Sequence, residues 1–249
     1  VIITAVTVAL VIAASTYAYQ DLERQRGAAE FEVAKESILA FNDALENVAW
    51  KPKSSRSVRF TVKYGTLQLM PDAMILNVSA TVGSNNYPLN STSTGLVRYF
   101  IDSRYVNLAE GYESYILGNE SLIVTEGTES LGRALIEQES GWVMITLSYR
   151  TRAMGASVIE VNGTDVNYVN VSVVKVVIES WAIHIHDFDL KARCLNVTTS
   201  ALGPYTVTPS VNNCTIRVQS EGETDSTVIP LVPGKVVFNV IVANVEVTL

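Results

Sequence analysis

The first nineteen residues, VIITAVTVALVIAASTYAY, contain no charged side chain, and the first charge is Asp21. As a helix at ~1.5 Å per residue, a run of that length comes close to spanning a hydrocarbon core of roughly 30 Å. Tyr17 and Tyr19 fall where an interfacial aromatic belt would sit. Helical patterning then continues through polar sequence: Phe31, Ala34, Ile38, Phe41, Leu45 and Val48 are spaced 3, 4, 3, 4, 3, an apolar seam of the kind that packs a helix against a partner. No proline occurs before Pro52, which restricts its predecessor away from helical geometry and predicts the helix end. Gly27 is the one weak point, read as a bend or local melting site. A helix through Trp50 would be about 75 Å long, more than a globular domain needs.

From Val58 the period changes from 3.6 to 2, with Val58, Phe60 and Val62 alternating with Arg59, Thr61 and Lys63. Strand-like runs recur at 75–82, 95–101, 121–125, 133–139, 142–150, 157–161, 169–179, 181–190, 215–219 and 235–249. Asn162-Gly163 between valine-rich flanks predicts a type I′ hairpin, and the polar stretch 83–94 reads as an exposed loop. In the last run Val236, Phe238, Val240 and Val242 alternate before the apolar parity moves to Val245, Val247 and Leu249, which predicts a sheet strand with a bulge near Ala243-Asn244. The pattern predicts an α+β chain: a long N-terminal helix over 1–50 and an antiparallel β-sandwich-like head over 51–249. Arg152–Gly155 marks a place where the head would divide if it comprised two β subdomains.

Composition narrows the function. Residues 1–50 carry seven acids against three bases, a net of −4, and the remaining 18 acids and 15 bases net −3, giving the −7 of the whole chain. Such a balance gives no basic footprint for nucleic acid. Seven Asn-X-Ser/Thr triplets begin at Asn77, Asn90, Asn119, Asn162, Asn170, Asn196 and Asn213, more than chance supplies, and point to a glycosylating, extracellular setting. Asn90, in the predicted loop, is the acceptor expected to be most accessible. Cys194 and Cys214 are two buried thiols or one disulfide, depending on compartment. Gly203-Pro204 lies at their midpoint, so an extracellular chain predicts a bond across a hairpin, closing a loop of about twenty residues.

Catalytic chemistry is poorly represented. His184 and His186 share one face of a predicted strand and Asp187 and Asp189 the other, which is half of a metal site. Gly127–Ala134 has the glycine spacing of a phosphate loop, but Arg133 and Ala134 replace its lysine and hydroxyl residue, and a strand follows instead of a helix. No nucleophile elbow occurs. The expectation is a protein without enzymatic activity, metal or cofactor.

Residues 1–70 resemble mature archaeal type IV pilin-like proteins. The resemblance lies in the flush apolar start VIITAVTVALVIAAS, the polar continuation YQDLERQRGAAEFEVAKESILAFNDALENVAW and the turn into KPKSSRSVRFTVKYGTLQL. With no basic stretch before the apolar run, the sequence reads as a chain whose leader has been removed. The resemblance implies a precursor held in the cytoplasmic membrane and a homopolymer outside the cell. Helices would form the filament core through Val1, Ile2, Ala5, Val8, Ala9, Ile12 and Ala13, while the seam from Phe31 to Val48 docks on the head. Ala5, Ala9 and Ala13 recur every four residues, a small-residue face that allows close helix approach. One departure is that Val1 and Ala5 stand where bacterial pilins carry phenylalanine and glutamate, so the salt bridge from that acid to a neighbour's terminal amine cannot form. Archaeal members often lack it. A single-pass cell-surface binding protein anchored by the same helix is the alternative from another class, and an archaellum-type motility filament is a variant within the same one.

Overall fold

The computed structural model describes residues 2–249, with side chains from Val6 onward. One helix, α1 (Ile2–Ala49), precedes a body made of strands. It runs unbroken through Gly27, so the helix does not melt there. Its end is set locally: Lys51 N–H donates to Val48 O (2.9 Å), and the Ser54 hydroxyl donates to the carbonyls of Lys51 (2.5 Å) and Val48 (3.2 Å), satisfying groups the last turn would leave open.

The strands are, in order, β1 (Ser55–Phe60), β2 (Thr66–Val82), β3 (Asn85–Asp102), β4 (Glu113–Leu117), β5 (Ile123–Val124), β6 (Gly132–Glu139) and β7 (Trp142–Tyr149). They continue with β8 (Thr151–Val161), β9 (Thr164–Val177), β10 (Ala182–His184), β11 (Phe188–Val207), β12 (Asn213–Ser220), β13 (Glu223–Pro230) and β14 (Gly234–Thr248). One sheet has the order β1-β11-β14-β9-β8-β5 and the other β13-β12-β2-β3-β7-β6-β4, with β10 added to β2. Pairing is antiparallel except for β14 with β9 and β5 with β8. The molecule is therefore α+β, a single long helix and a β-rich body.

Both sheets contribute to two apolar clusters. The first joins Ile38, Phe41 and Leu45 of α1 to Leu67, Tyr99 and Ile145 of one sheet and Val174, Leu190 and Val245 of the other. The second, without the helix, holds Leu76, Val78, Val171, Ile216, Phe238 and Val240. In β9 the residues of the second cluster are Val169, Val171 and Val173, and those of the first are Val174 and Val176, followed by Ile178 just past the strand. The parity of β14 changes likewise between Val240 and Ala243, while its pairing with β9 continues without a shift. Alternating side chains point to opposite faces, so these two strands serve one cluster with one face and the other cluster with the reverse face. β8 runs through Arg152–Gly155, with a register shift against β9 between Met154 and Ser157.

Several expectations need correction. The stretch 83–94 is not a loop: only Gly83-Ser84 turns, and the remainder is the start of β3, paired with β2. The run 181–190 divides into β10 and the beginning of β11. β14 does pair within its own chain, between β11 and β9, but the irregularity near Ala243-Asn244 belongs to the partner strand, where Leu195 is left out of register between Cys194 and Asn196. Gly203-Pro204, a cis peptide, sits inside β11 at a register shift and does not reverse the chain. β11 and β12 consequently belong to different sheets, and no hairpin brings Cys194 to Cys214. Both thiols are free and buried: the Cys194 thiol donates to Ala49 O at the end of α1 (3.1 Å), whereas Cys214 lies in the second cluster. The hairpin at Asn162-Gly163 has positive φ at both residues (51° and 74°), as a type I′ turn requires.

Candidate assembly interface

α1 has two halves with opposite surroundings. Phe31, Ala34, Ile38, Phe41, Leu45 and Val48 are all buried against the sheets. Polar contacts fix this half as well. The Glu30 carboxylate accepts the backbone N–H groups of Lys63 (2.9 Å), Tyr64 (2.9 Å) and Gly65 (2.8 Å) and the Tyr99 hydroxyl (3.0 Å). Burial, and then the nearby Glu30 charge, push the Tyr99 pKa far above its ordinary value. Sixteen residues later on the helix, the Glu46 carboxylate accepts Ser130 Oγ–H (2.5 Å) and Gly132 N–H (3.0 Å). Gly132, the first residue of β6, is thus held by the helix, and a Cβ there would come 2.0 Å from Asn42 Oδ1.

Gly27 has a packing role. A Cβ there would come 2.4 Å from the Tyr105 ring, so the glycine is a notch into which the ring fits, and Tyr105 in turn lies 5.2 Å from Tyr64. Here the helix leaves the head. Beyond it, every residue from Val6 to Leu22 is exposed, with Leu10 65% and Tyr17 76% accessible. Val8, Ala9, Ile12 and Ala13 belong to this exposed stretch. Val1 lies outside the described residues, as do the side chains of Ile2 and Ala5. Among the described residues no helix is long and apolar enough to cross a membrane.

The other candidate groups are dispersed. His184 faces inward beside Phe188 (5.2 Å), and burial lowers its pKa, whereas His186 is exposed. Asp187 and Asp189 both face Arg59 (3.9 and 3.5 Å). Among the described residues no three potential ligands gather to hold a metal. Of the acceptor asparagines, Asn77, Asn119, Asn162, Asn196 and Asn213 are exposed, and Asn90 and Asn170 are half-buried. Asn90 Nδ2, the atom a glycan would join, is shielded from solvent within β3, so this acceptor is far from the most accessible.

The seam was visible in the sequence because burial imposes its 3-4 spacing. Glu30 and Glu46 were missed, since a carboxylate on a helix gives no sign of the backbone N–H groups it will meet. Comparison with protein families, characterised proteins and solved structures finds no match to this chain.

Proposed function

We propose that this protein is the structural subunit of an extracellular filament of the type IV pilus kind, polymerising through the N-terminal half of α1 with a β-sandwich head outside. The observation that carries the proposal is the apolar stretch from Val6 to Tyr19, exposed on all sides of a helix whose other half is fixed in the head. Full burial of a Val, Leu or Ile side chain contributes roughly 1.5–3 kcal/mol, so Val6, Val8, Leu10, Val11 and Ile12 together favour burial by about 7–15 kcal/mol. The β-rich body cannot supply that cover, because an unbroken helix cannot fold back onto its own head. Copies of the same helix can, and Ala9 and Ala13 leave room for close approach. Contacts that repeat head to tail without closing give an open helical assembly.

The cytoplasmic membrane would hold the helix before assembly. The exposed acceptor asparagines support a destination outside the cell, where glycans would decorate the heads. A membrane-anchored surface receptor would need a flexible stalk between anchor and head, and α1 runs into the head without one. No reaction, metal or cofactor enters the proposal. Negative-stain microscopy of sheared surface material, labelled with antibody to the head, tests it. Labelled filaments that vanish when the gene is deleted support the reading. Label confined to the membrane fraction as single particles would favour the anchored receptor.

A further inference from the structure

His184 sits on the inner face of a lightly attached strand. β10 makes three residue pairs with β2, Ala182 with Leu69, Ile183 with Gln68 and His184 with Leu67. Among the described residues no strand pairs with its other edge. Ile183 is exposed, so alternation turns Ala182 and His184 toward the body. The His184 ring lies 5.2 Å from Phe188. Phe188 stacks on Phe60 (5.6 Å, 4° between planes), and Phe60 meets Phe41 of α1 edge to face (6.4 Å). The imidazole is thus the outer end of a row of aromatic rings that reaches into the first cluster.

Its Nε2 atom is shielded from solvent and has no hydrogen-bond partner. A neutral imidazole can carry its one N–H on Nδ1 and leave only a lone pair at Nε2, whereas an imidazolium carries an N–H at both positions. Protonation would therefore place an unpaired, charged donor where water does not reach, which costs more than an unpaired lone pair. The surrounding elements offer no compensation. β2 contributes Leu67, Gln68 and Leu69, all uncharged. Asp187 and Asp189 face Arg59 of β1, and the Lys63 ammonium lies over the Tyr64 ring. On the side of α1 the Glu30 carboxylate is engaged by the N–H groups of Lys63, Tyr64 and Gly65 and by the Tyr99 hydroxyl. Glu179 and His186 are exposed. Burial is the one cause that moves the His184 pKa, and it moves it down from the ordinary 6.5.

We infer that β10 is an acid-released flap: protonation of His184 frees residues 181–186 from β2 while the rest of the head stays folded. The attachment is complete above pH 6.5, where attached and released strands both hold the neutral ring. It weakens as the pH falls below that value, because the released strand binds a proton that the attached one refuses. Release gives up only the three pairs of β10 and the packing of Ala182 and His184, since Phe188 belongs to β11 and keeps its stack on Phe60. It would uncover Leu67 and Phe188, so acid changes the apolar surface that the head presents. None of this depends on how the chain assembles.

The test is amide hydrogen exchange of the full chain in detergent micelles at pH 8 and pH 5, with rates corrected for the intrinsic pH dependence of exchange. Protection of peptide 181–186 should fall about threefold or more at pH 5, while β3 and β7 stay protected. His184→Phe keeps an aromatic ring beside Phe188 but cannot titrate, and should abolish the fall. His184→Gln, uncharged and smaller, should do the same without adding apolar surface, and His186→Gln should leave the fall as in the wild type. Equal protection of 181–186 at both pH values in the wild type would overturn the inference. So would a fall that persists in both His184 variants, or one that spreads through β2, β3 and β7 together. The His184 ring, followed by NMR, should also titrate below 6.5, and a midpoint at or above that value would contradict the inference.

Discussion

Gly27 and Tyr105 show how one position can be misread when a residue is judged only by its own preferences. Glycine weakens an isolated helix, yet here its missing Cβ is what the Tyr105 ring packs on. Gly27→Ala should therefore destabilise the head by about 1–3 kcal/mol through overpacking, although alanine is the better helix former. Thermal unfolding of that variant, alone and combined with Tyr105→Ala, checks this: the pair should be less damaging than the sum of the single changes. The two cysteines yield a second prediction. Burial pushes the Cys214 thiol up to about 11 and also raises Cys194, and neither side chain is open to solvent. Alkylation without reductant should label few thiols in the native chain and both after denaturation, read by intact mass. Two unlabelled thiols after denaturation would restore the disulfide. Tyr99 and Tyr149 make stability depend on alkaline pH. Burial holds both above their ordinary value of 10.0, so the folded state keeps protons that the unfolded chain releases. Their contribution is complete below pH ~10 and is lost as the pH rises further. Urea unfolding between pH 8 and 11 should show this fall, and Tyr99→Phe should make it shallower.

At the scale of elements, α1 was legible because its two constraints are periodic or absolute: a seam spaced for one buried face, and a proline that ends it. The period-2 strands were legible for the same reason. Strand connections were much less so. Gly203-Pro204 looks like a turn, but β11 accommodates it at a register shift and runs on to Val207, and this moved Cys194 and Cys214 into separate sheets. The polar run 83–94 looked like a loop because its side chains face solvent, whereas its backbone pairs with β2. β13 was missed, being an edge strand rich in polar residues, ETDSTVIP. The buried seam also supports a quantitative expectation. Ile38→Ala or Phe41→Ala should cost about 2–5 kcal/mol, because each is fully buried where the helix meets both sheets. Denaturant unfolding measures it. A loss below about 1 kcal/mol would mean that the helix is not integral to the first cluster.

For the whole molecule, the division of α1 is the organising feature. One half is fixed by apolar packing and by the Glu30 and Glu46 carboxylates, and the other stands in solvent with nothing of its own chain to cover it. The sequence disclosed this division through the uncharged start. The central claim is that the segment from Val6 to Tyr19 is an interface between copies. Replacing Ala9 with Asp tests it most directly, because polymerisation would bury an unpaired charge among packed helices while the head, whose Arg104 and Tyr105 meet the helix only from Gln20 onward, is untouched. The measurement is electron microscopy and sedimentation of the full-length wild-type and variant chains after detergent removal. The account predicts wild-type filaments and a variant that remains unpolymerised with an unchanged unfolding midpoint. Filaments of normal length and abundance from Ala9→Asp would contradict it.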